Sequence, residues 1–138
     1  MYESLTDFLE RNNSTEYGDW IIDKNNDGSP EHPIQFPFAS YRRVVREFQG
    51  AVYDFIDQHE EMGLTRYNEI LNAANIEWDA RSMKNADVSS LDGKTVVALL
   101  IGAIRAERFC DGALLDFFED GSIEKWLSRL KEIDKGDL

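Results

Sequence analysis

The chain has 138 residues, of which 42% are hydrophobic and 12% aromatic, which is enough to build the core of one globular domain. Its 27 acidic residues outnumber the 15 basic ones, and the net charge of −12 argues against direct binding of nucleic acid and favours either solubility or a basic partner. A single cysteine excludes an internal disulfide. Because the N-terminus also lacks a signal-peptide pattern, we expect a cytoplasmic protein.

The N-terminal third mixes helical and β-prone patterns. Apolar residues at helical spacing predict an amphipathic helix over residues 2–11. Residues 20–22 form a short β-prone run, and a dense series of turn formers follows it. Prolines flank a second run at 34–36 and would confine a strand there to a sheet edge. We therefore expect a small β-hairpin or extended loop near residues 17–38.

The most regular amphipathic pattern in the chain comes next. Ser40 can cap a helix over residues 41–58. The apolar stripe of this helix consists of Tyr41, Val44, Val45, Phe48, Val52, Phe55 and Ile56. Shorter helices are predicted over residues 66–74 and around 78–83, and residues 84–91 are expected to form a loop.

A central helix is predicted over residues 92–109, with Asp92 as its cap. No side chain from 96 to 104 is charged or strongly polar, so this helix should be buried on all sides. Nine apolar residues are too few to cross a bilayer, which needs roughly 20, so we expect no membrane span. One side of the helix carries only small residues and would let a neighbouring helix approach closely; these are Ala98, Gly102 and Ala106.

Two more helices complete the predicted fold. The first covers residues 112–119, and Gly121 suits the left-handed position that ends it. Ser122 caps the last helix, and residues 135–138 should fray. The predicted fold is mainly α, a single domain over residues 1–138 made of a bundle of five or six helices.

The turn after the central helix carries the candidate functional residues, here called the junction cluster: Arg105, Glu107, Arg108, Cys110 and Asp111. Glu107 lies about 20° from Val96 on a helical wheel, inside the apolar face. Its carboxylate therefore needs an arginine, the backbone N–H groups of a neighbouring helix start, or both. Asp111 can cap the next helix, and Cys110 is interpreted as a buried structural cysteine. The structural alternative for the charged members is an ion-pair network that holds the turn together.

This turn reads Arg105-Ala106-Glu107-Arg108-Phe109-Cys110-Asp111-Gly112, with Asp92-Gly93-Lys94-Thr95 before it and Leu114 after it. It resembles an uncharacterised family of small bacterial proteins that carries an Arg-x-acid-Arg-Phe-Cys-acid-Gly core in its C-terminal half. The likeness covers roughly residues 86–132 and extends more weakly to the segment from 20 to 38. Gly93 stands where a larger helix former is expected. The resemblance implies a fold but no activity.

One metal-binding pattern is incomplete. Asp23, Asn25 and Asp27 match the first half of an EF-hand calcium loop. The twelfth position of such a loop needs a bidentate glutamate, and Ile34 stands there instead. We interpret this segment as a polar turn, and we expect neither a metal ion nor a cofactor.

Three functions are compatible with these features. The leading hypothesis is a non-catalytic acidic interaction module with a protein partner. The second is a small enzyme or ligand-binding protein that uses the charged residues of the junction cluster, with a metal ion on the carboxylates within 54–61 and 116–120. The third is an acidic mimic that occupies a nucleic-acid-binding protein. A cleft lined by the cluster would favour the second, a filled turn the first, and a carboxylate stripe on one exposed face the third.

Overall fold

The computed structural model of the chain describes residues 1–11, 18–21, 38–41, 43–110 and 112–136. The chain is mainly helical, as predicted. Its α-helices are α1 (Glu3–Thr6), α2 (Phe8–Arg11), α3 (Arg43–Gln58), α4 (Tyr67–Ala73), α5 (Ala80–Asn85), α6 (Gly93–Ala106), α7 (Ala113–Glu119) and α8 (Ser122–Gly136). Its strands are β1 (Gly18–Ile21) and β2 (Phe38–Tyr41), and single 3₁₀ turns cover Glu60–Met62, Leu64–Arg66 and Val88–Ser90.

The number of helices is larger than predicted. Only Asp7 separates α1 from α2, and counting these two turns as one still gives seven helices within the described ranges, against the five or six expected. The difference comes from short helices such as α5, whose six residues are too few to show a periodic pattern. A side-chain cap stabilises α5 instead, since Asp79 accepts a hydrogen bond from the Ser82 N–H at 2.7 Å.

The two strands pair in an antiparallel ladder, in which Gly18 lies opposite Tyr41 and Ile21 opposite Phe38. β1 overlaps the predicted β-prone run, but β2 occupies the positions where a helix cap and a helix start were predicted. Consequently α3 begins at Arg43. Residues 22–37 lie outside the described residues, so the hairpin near 17–38 is not confirmed.

The predicted C-terminal end of α3 and both predicted ends of α4 and α7 agree with the structure to within two residues. Gly121 has the left-handed backbone expected of it, with φ of 84°. At the C-terminus α8 continues through Gly136, and the fraying expected of residues 135–138 stays a prediction. No helix in the described ranges has the length and apolarity needed to cross a membrane.

α6 is the centre of the core, as predicted. Eleven of its 14 residues are buried, and α3, α4, α7 and α8 all pack against it. Asp92 caps its first turn by accepting a hydrogen bond from the Thr95 N–H at 2.9 Å. The helix ends at Ala106, three residues earlier than predicted. Because α6 is buried on all sides, its apolar side chains contribute to the core in every direction.

The helices around α6 bury the apolar stripes that their sequences indicate. The predicted stripe of α3 is confirmed at its buried positions, which are Val45, Phe48, Val52 and Phe55. The inner face of α8 consists of Ser122, Ile123, Trp126, Leu127 and Leu130. All buried apolar side chains in the described part belong to one cluster, apart from Leu115.

The N-terminus closes one end of this core. The ring of Tyr2 is 5% exposed, stacks on Phe55 with centroids 5.5 Å apart, and covers Gly93 at the start of α6. A Cβ atom at Gly93 would overlap the Tyr2 ring and hydroxyl. The absence of a larger helix former at this position is therefore explained by the close approach of an aromatic side chain.

Candidate functional site

A groove of about 320 Å³ opens beside the C-terminal end of α6. We call it the Trp78 groove. Its apolar walls come from the segment before α5, from α5, from the α6–α7 turn and from α7; they include Trp78, Met83, Ala106, Phe109, Cys110 and Phe117. Its polar members are Asp79, Lys84 and Asp116. An apolar wall with a few polar groups is the usual composition of a binding site.

The side of α6 that carries only small residues lies beneath the floor of this groove, where Trp78 and Met83 pack against Gly102. The indole N–H of Trp78 donates a hydrogen bond to the Gly102 carbonyl oxygen at 3.0 Å. A Cβ atom at Gly102 would lie 2.9 Å from Cε of Met83 and 3.3 Å from Cδ1 of Trp78. The sequence predicted the close approach of a neighbouring helix at this face, whereas the atoms closest to Gly102 belong to the side chains of Met83 and Trp78.

Phe109 is the most exposed large apolar residue of the groove. Its side chain is 79% exposed and meets the Trp78 ring edge to face, with centroids 5.6 Å apart. On its other side Trp78 makes a similar contact with Tyr67 at 5.5 Å. An aromatic ring held in solvent beside an apolar groove is a costly arrangement that is typical of binding surfaces.

The polar members of the groove have defined partners or remain in solvent. Lys84 Nζ lies 2.7 Å from Asp120 Oδ2 and 5.1 Å from the centre of the Phe117 ring. The hydrogen bonds that the Asp79 carboxylate accepts from the backbone N–H and the hydroxyl of Ser82 lower its pKa, so it stays ionised at neutral pH. Asp116 is exposed.

Glu107 has the backbone partners that its sequence position predicted. One carboxylate oxygen accepts the Gly112 N–H at 2.8 Å, and the other accepts the Leu114 N–H at 3.0 Å. Gly112 has φ of 89°, which lets the chain reverse between α6 and α7. Glu107 therefore ends α6 and caps the first turn of α7 with one side chain.

The remaining members of the junction cluster are not gathered around Glu107. Arg108 is exposed, and Arg105 is half-buried, with its guanidinium 5.9 Å from the Tyr53 ring centre. Arg105 Nε is buried and has no hydrogen-bond partner. Across 43–110 and 112–136, no ion pair involves either arginine or Glu107, so the predicted ion-pair network is not found there. Asp111 lies outside the described residues.

Cys110 differs from its prediction. The thiol is free and exposed, whereas the sequence suggested a buried structural cysteine. The turn after α6 carries Cys110 away from the core, because α6 ends at Ala106 and Phe109 also points outward. Of the four described members of the junction cluster, Cys110 lines the Trp78 groove and the other three do not.

The metal hypotheses receive no geometric support from the described residues. Asp23, Asn25 and Asp27 lie outside them, so the polar-turn interpretation stays a prediction. Within the described ranges, no three His, Cys, Asp or Glu side chains are grouped closely enough to hold a metal ion.

Sequence reasoning did not identify the groove. Trp78 and Met83 were interpreted only as signs of one short helix, and Phe117 only as an inward-facing residue of the helix over 112–119. Their spacing along the chain carries no common pattern, because they come together only when α5 packs beside α7. Phe109 and Cys110 lie three and four residues beyond Ala106, where α6 ends, whereas the predicted helix ran through Phe109.

One comparison with known proteins identifies a family. The family model described as "Family of unknown function (DUF6508)" matches residues 3–136. No curated protein and no solved structure gave a significant match to the chain. Since the match covers nearly the whole sequence, the chain belongs to this family of unknown function.

Proposed function

We propose that the protein is a non-catalytic interaction module that holds an apolar side chain of a partner protein in the Trp78 groove. The observation that carries this proposal is the open apolar groove itself, with Phe109 79% exposed at its edge. Exposed aromatic rings beside a concave apolar surface are the features of protein interfaces that contribute most to affinity.

The polar groups near the groove support a binding role over a catalytic one. Asp79 caps α5, Lys84 is held by Asp120, and both oxygens of Glu107 accept backbone hydrogen bonds. A general base or nucleophile needs a partner aimed at the reacting atom. His59, the histidine within the described residues, does not line the groove next to Cys110.

The size of the groove also suits one bulky side chain. A volume of about 320 Å³ is at the lower end of the range for small-molecule sites, which is roughly 300–1,000 Å³. An anchor such as leucine or phenylalanine would cover Trp78 and Met83 and would bury the face of Phe109 that is now in water. Removal of this apolar surface from water would supply the main driving force for binding.

The structure bears differently on the alternative functions that the sequence left open. An enzyme built on the junction cluster loses support, since Arg105, Glu107 and Arg108 are not among the groove residues. The acidic mimic stays a prediction. We further propose a cytoplasmic location, because an exposed free thiol such as that of Cys110 is compatible with a reducing compartment. A bacterial origin also stays a prediction.

Nuclear magnetic resonance tests the binding proposal directly. N-acetyl-phenylalanine amide should shift the signals of the Trp78 indole N–H and the Met83 methyl group. Ala113→Leu should fill the groove and abolish these shifts, because Ala113 is one of the lining residues. Ala73→Leu is the matched control, since it adds the same atoms at an exposed position of α4 that does not line the groove, and it should bind as the parent does. Equal shifts in both variants would contradict the proposal.

A further inference from the structure

We propose that the partner segment is basic, with one bulky apolar side chain for the Trp78 groove and flanking lysine or arginine residues for the carboxylates around it. This inference rests on the proposed function of the groove and specifies the chemistry of the partner.

The first observation is that Trp78 borders a second depression. This depression has a volume of about 400 Å³ and is lined by Asn68, Glu69, Asn72, Ile76, Glu77 and Trp78. Trp78 lines both, and its chain neighbours Glu77 and Asp79 line one each, so the groove and the depression adjoin at this segment. A peptide of several residues can therefore contact both while its anchor occupies the groove.

The second observation is the charge of this surface. Among the described residues, four carboxylates line its two parts, on Glu69, Glu77, Asp79 and Asp116, and all four residues are exposed. No ion pair within the described ranges neutralises any of them. Lys84, a cation that lines the groove, is already paired with Asp120. The surface is therefore complementary to a positive segment and repels an acidic one.

The aromatic rings add a second reason to expect a cation. Lys84 Nζ lies 5.1 Å from the centre of the Phe117 ring, so an ammonium group is already held against an aromatic face in this groove. Phe109 presents a ring of the same kind to solvent. An arginine that follows the anchor could stack on Phe109 while it approaches Asp116.

Three synthetic peptides test the inference. Each has a central leucine, and the flanking residues are lysines, glutamines or glutamates. Occupation of the groove is measured by the slowing of Cys110 alkylation by iodoacetamide, since Cys110 is an exposed lining residue and the only cysteine of the chain. We expect the lysine peptide to bind about three- to tenfold more tightly than the glutamine peptide. The glutamate peptide should bind most weakly, and added salt should remove these differences.

Charge variants locate the effect. Asp116→Asn and Glu77→Gln should each reduce the preference for lysine over glutamine and leave the affinity for the glutamine peptide unchanged. Asp57→Asn is the matched control, because it removes the same charge from an exposed position on α3 that lines neither part of the surface. This control should keep the full preference for lysine.

The outcomes separate this inference from the proposal on which it rests. Equal binding of the lysine, glutamine and glutamate peptides would overturn the inference and leave the apolar groove in place. A lysine peptide with alanine as its central residue that protects Cys110 as well as the leucine peptide would overturn the proposed anchor. Protection by none of the peptides would overturn both.

Discussion

Near each end of α6 an aromatic ring lies against a glycine, but only one of the two rings is buried. At each end a glycine of the helix admits an aromatic ring, Tyr2 over Gly93 and Trp78 over Gly102. Tyr2 is 5% exposed and lies in the core, whereas Trp78 is half-buried and its ring borders an open groove. The comparison shows that close approach to a glycine does not by itself close a surface; the neighbouring elements decide whether the ring is covered.

The closed end has additional contacts that the open end lacks. Arg129 of α8 donates two hydrogen bonds to the Leu91 carbonyl oxygen, at 3.2 and 3.0 Å, just before α6 begins. The N–H of Tyr2 donates to the Asp134 carboxylate of α8 at 2.9 Å. These bonds hold the backbone at Tyr2 and the loop before α6 against α8.

The largest effect is expected at the floor of the groove. Gly102→Leu should lower the free energy of unfolding by about 3 kcal/mol, because the new side chain must displace Met83 and Trp78 from a buried site. Gly102→Ala should cost less, since Met83 Cε can move a few tenths of an ångström. Urea denaturation measures both, and an unchanged midpoint for Gly102→Leu would contradict the packing described at this face.

At the end of α6 that Tyr2 covers, even the addition of one methyl group should reduce the stability of the protein. Gly93→Ala should destabilise by about 1–3 kcal/mol, because Tyr2 must leave its place on α6. In a Tyr2→Ala background the same change should become neutral or stabilising, since alanine favours a helix by about 1 kcal/mol over glycine. A double-mutant cycle by urea denaturation measures this reversal, and additive effects would show that the two residues do not interact.

The turn between α6 and α7 should depend on Glu107. Glu107→Gln should lower stability by about 1–2 kcal/mol, because an amide has one acceptor oxygen for the two N–H groups of Gly112 and Leu114. Glu119→Gln on the exposed side of α7 is the control for the lost charge. Equal or higher stability of Glu107→Gln would instead favour a functional role for this carboxylate.

The smallest effect is expected at the cap of α6, and it should depend on pH. Hydrogen bonds from Thr95 lower the pKa of Asp92 from its usual value near 3.8. A carboxyl group whose pKa is lower in the folded state stabilises the fold above about pH 4 and loses this contribution as the pH falls through the folded pKa. Asp92→Ala should therefore cost about 1 kcal/mol at pH 7, limited by solvent screening, and less at pH 3. A difference that is constant with pH would contradict this role.

Much of the helical architecture could be predicted from periodicity. The stripe of α3 and the apolar run of α6 repeat over three or more turns, so each pattern has enough residues to identify a buried face. The short elements were less predictable. β2 replaced a predicted helix start because Phe38–Tyr41 pairs with β1, a partner about twenty residues away that no local pattern reveals.

The candidate site was also predictable only in part. That Glu107 needs a polar partner followed from its position on one helix, and the need was met by the N–H groups of the adjacent α7. Arg105 and Arg108 project well away from Glu107 on the same helical wheel, and in the structure Arg108 lies beyond the end of α6 at Ala106 and is exposed. The same early end exposes Phe109 and Cys110.

The sequence by itself therefore determined the mainly helical class, the central buried helix, its Asp92 cap, and the requirement for a partner at Glu107. Each of these depends on residues within a few turns of one another, where helix geometry relates spacing directly to position in space. Only the tertiary structure decided that Trp78, Phe109 and Phe117 share an open groove while Tyr2 is covered. These outcomes depend on how elements distant in sequence pack against α6, and packing of that kind leaves no periodic pattern in the chain.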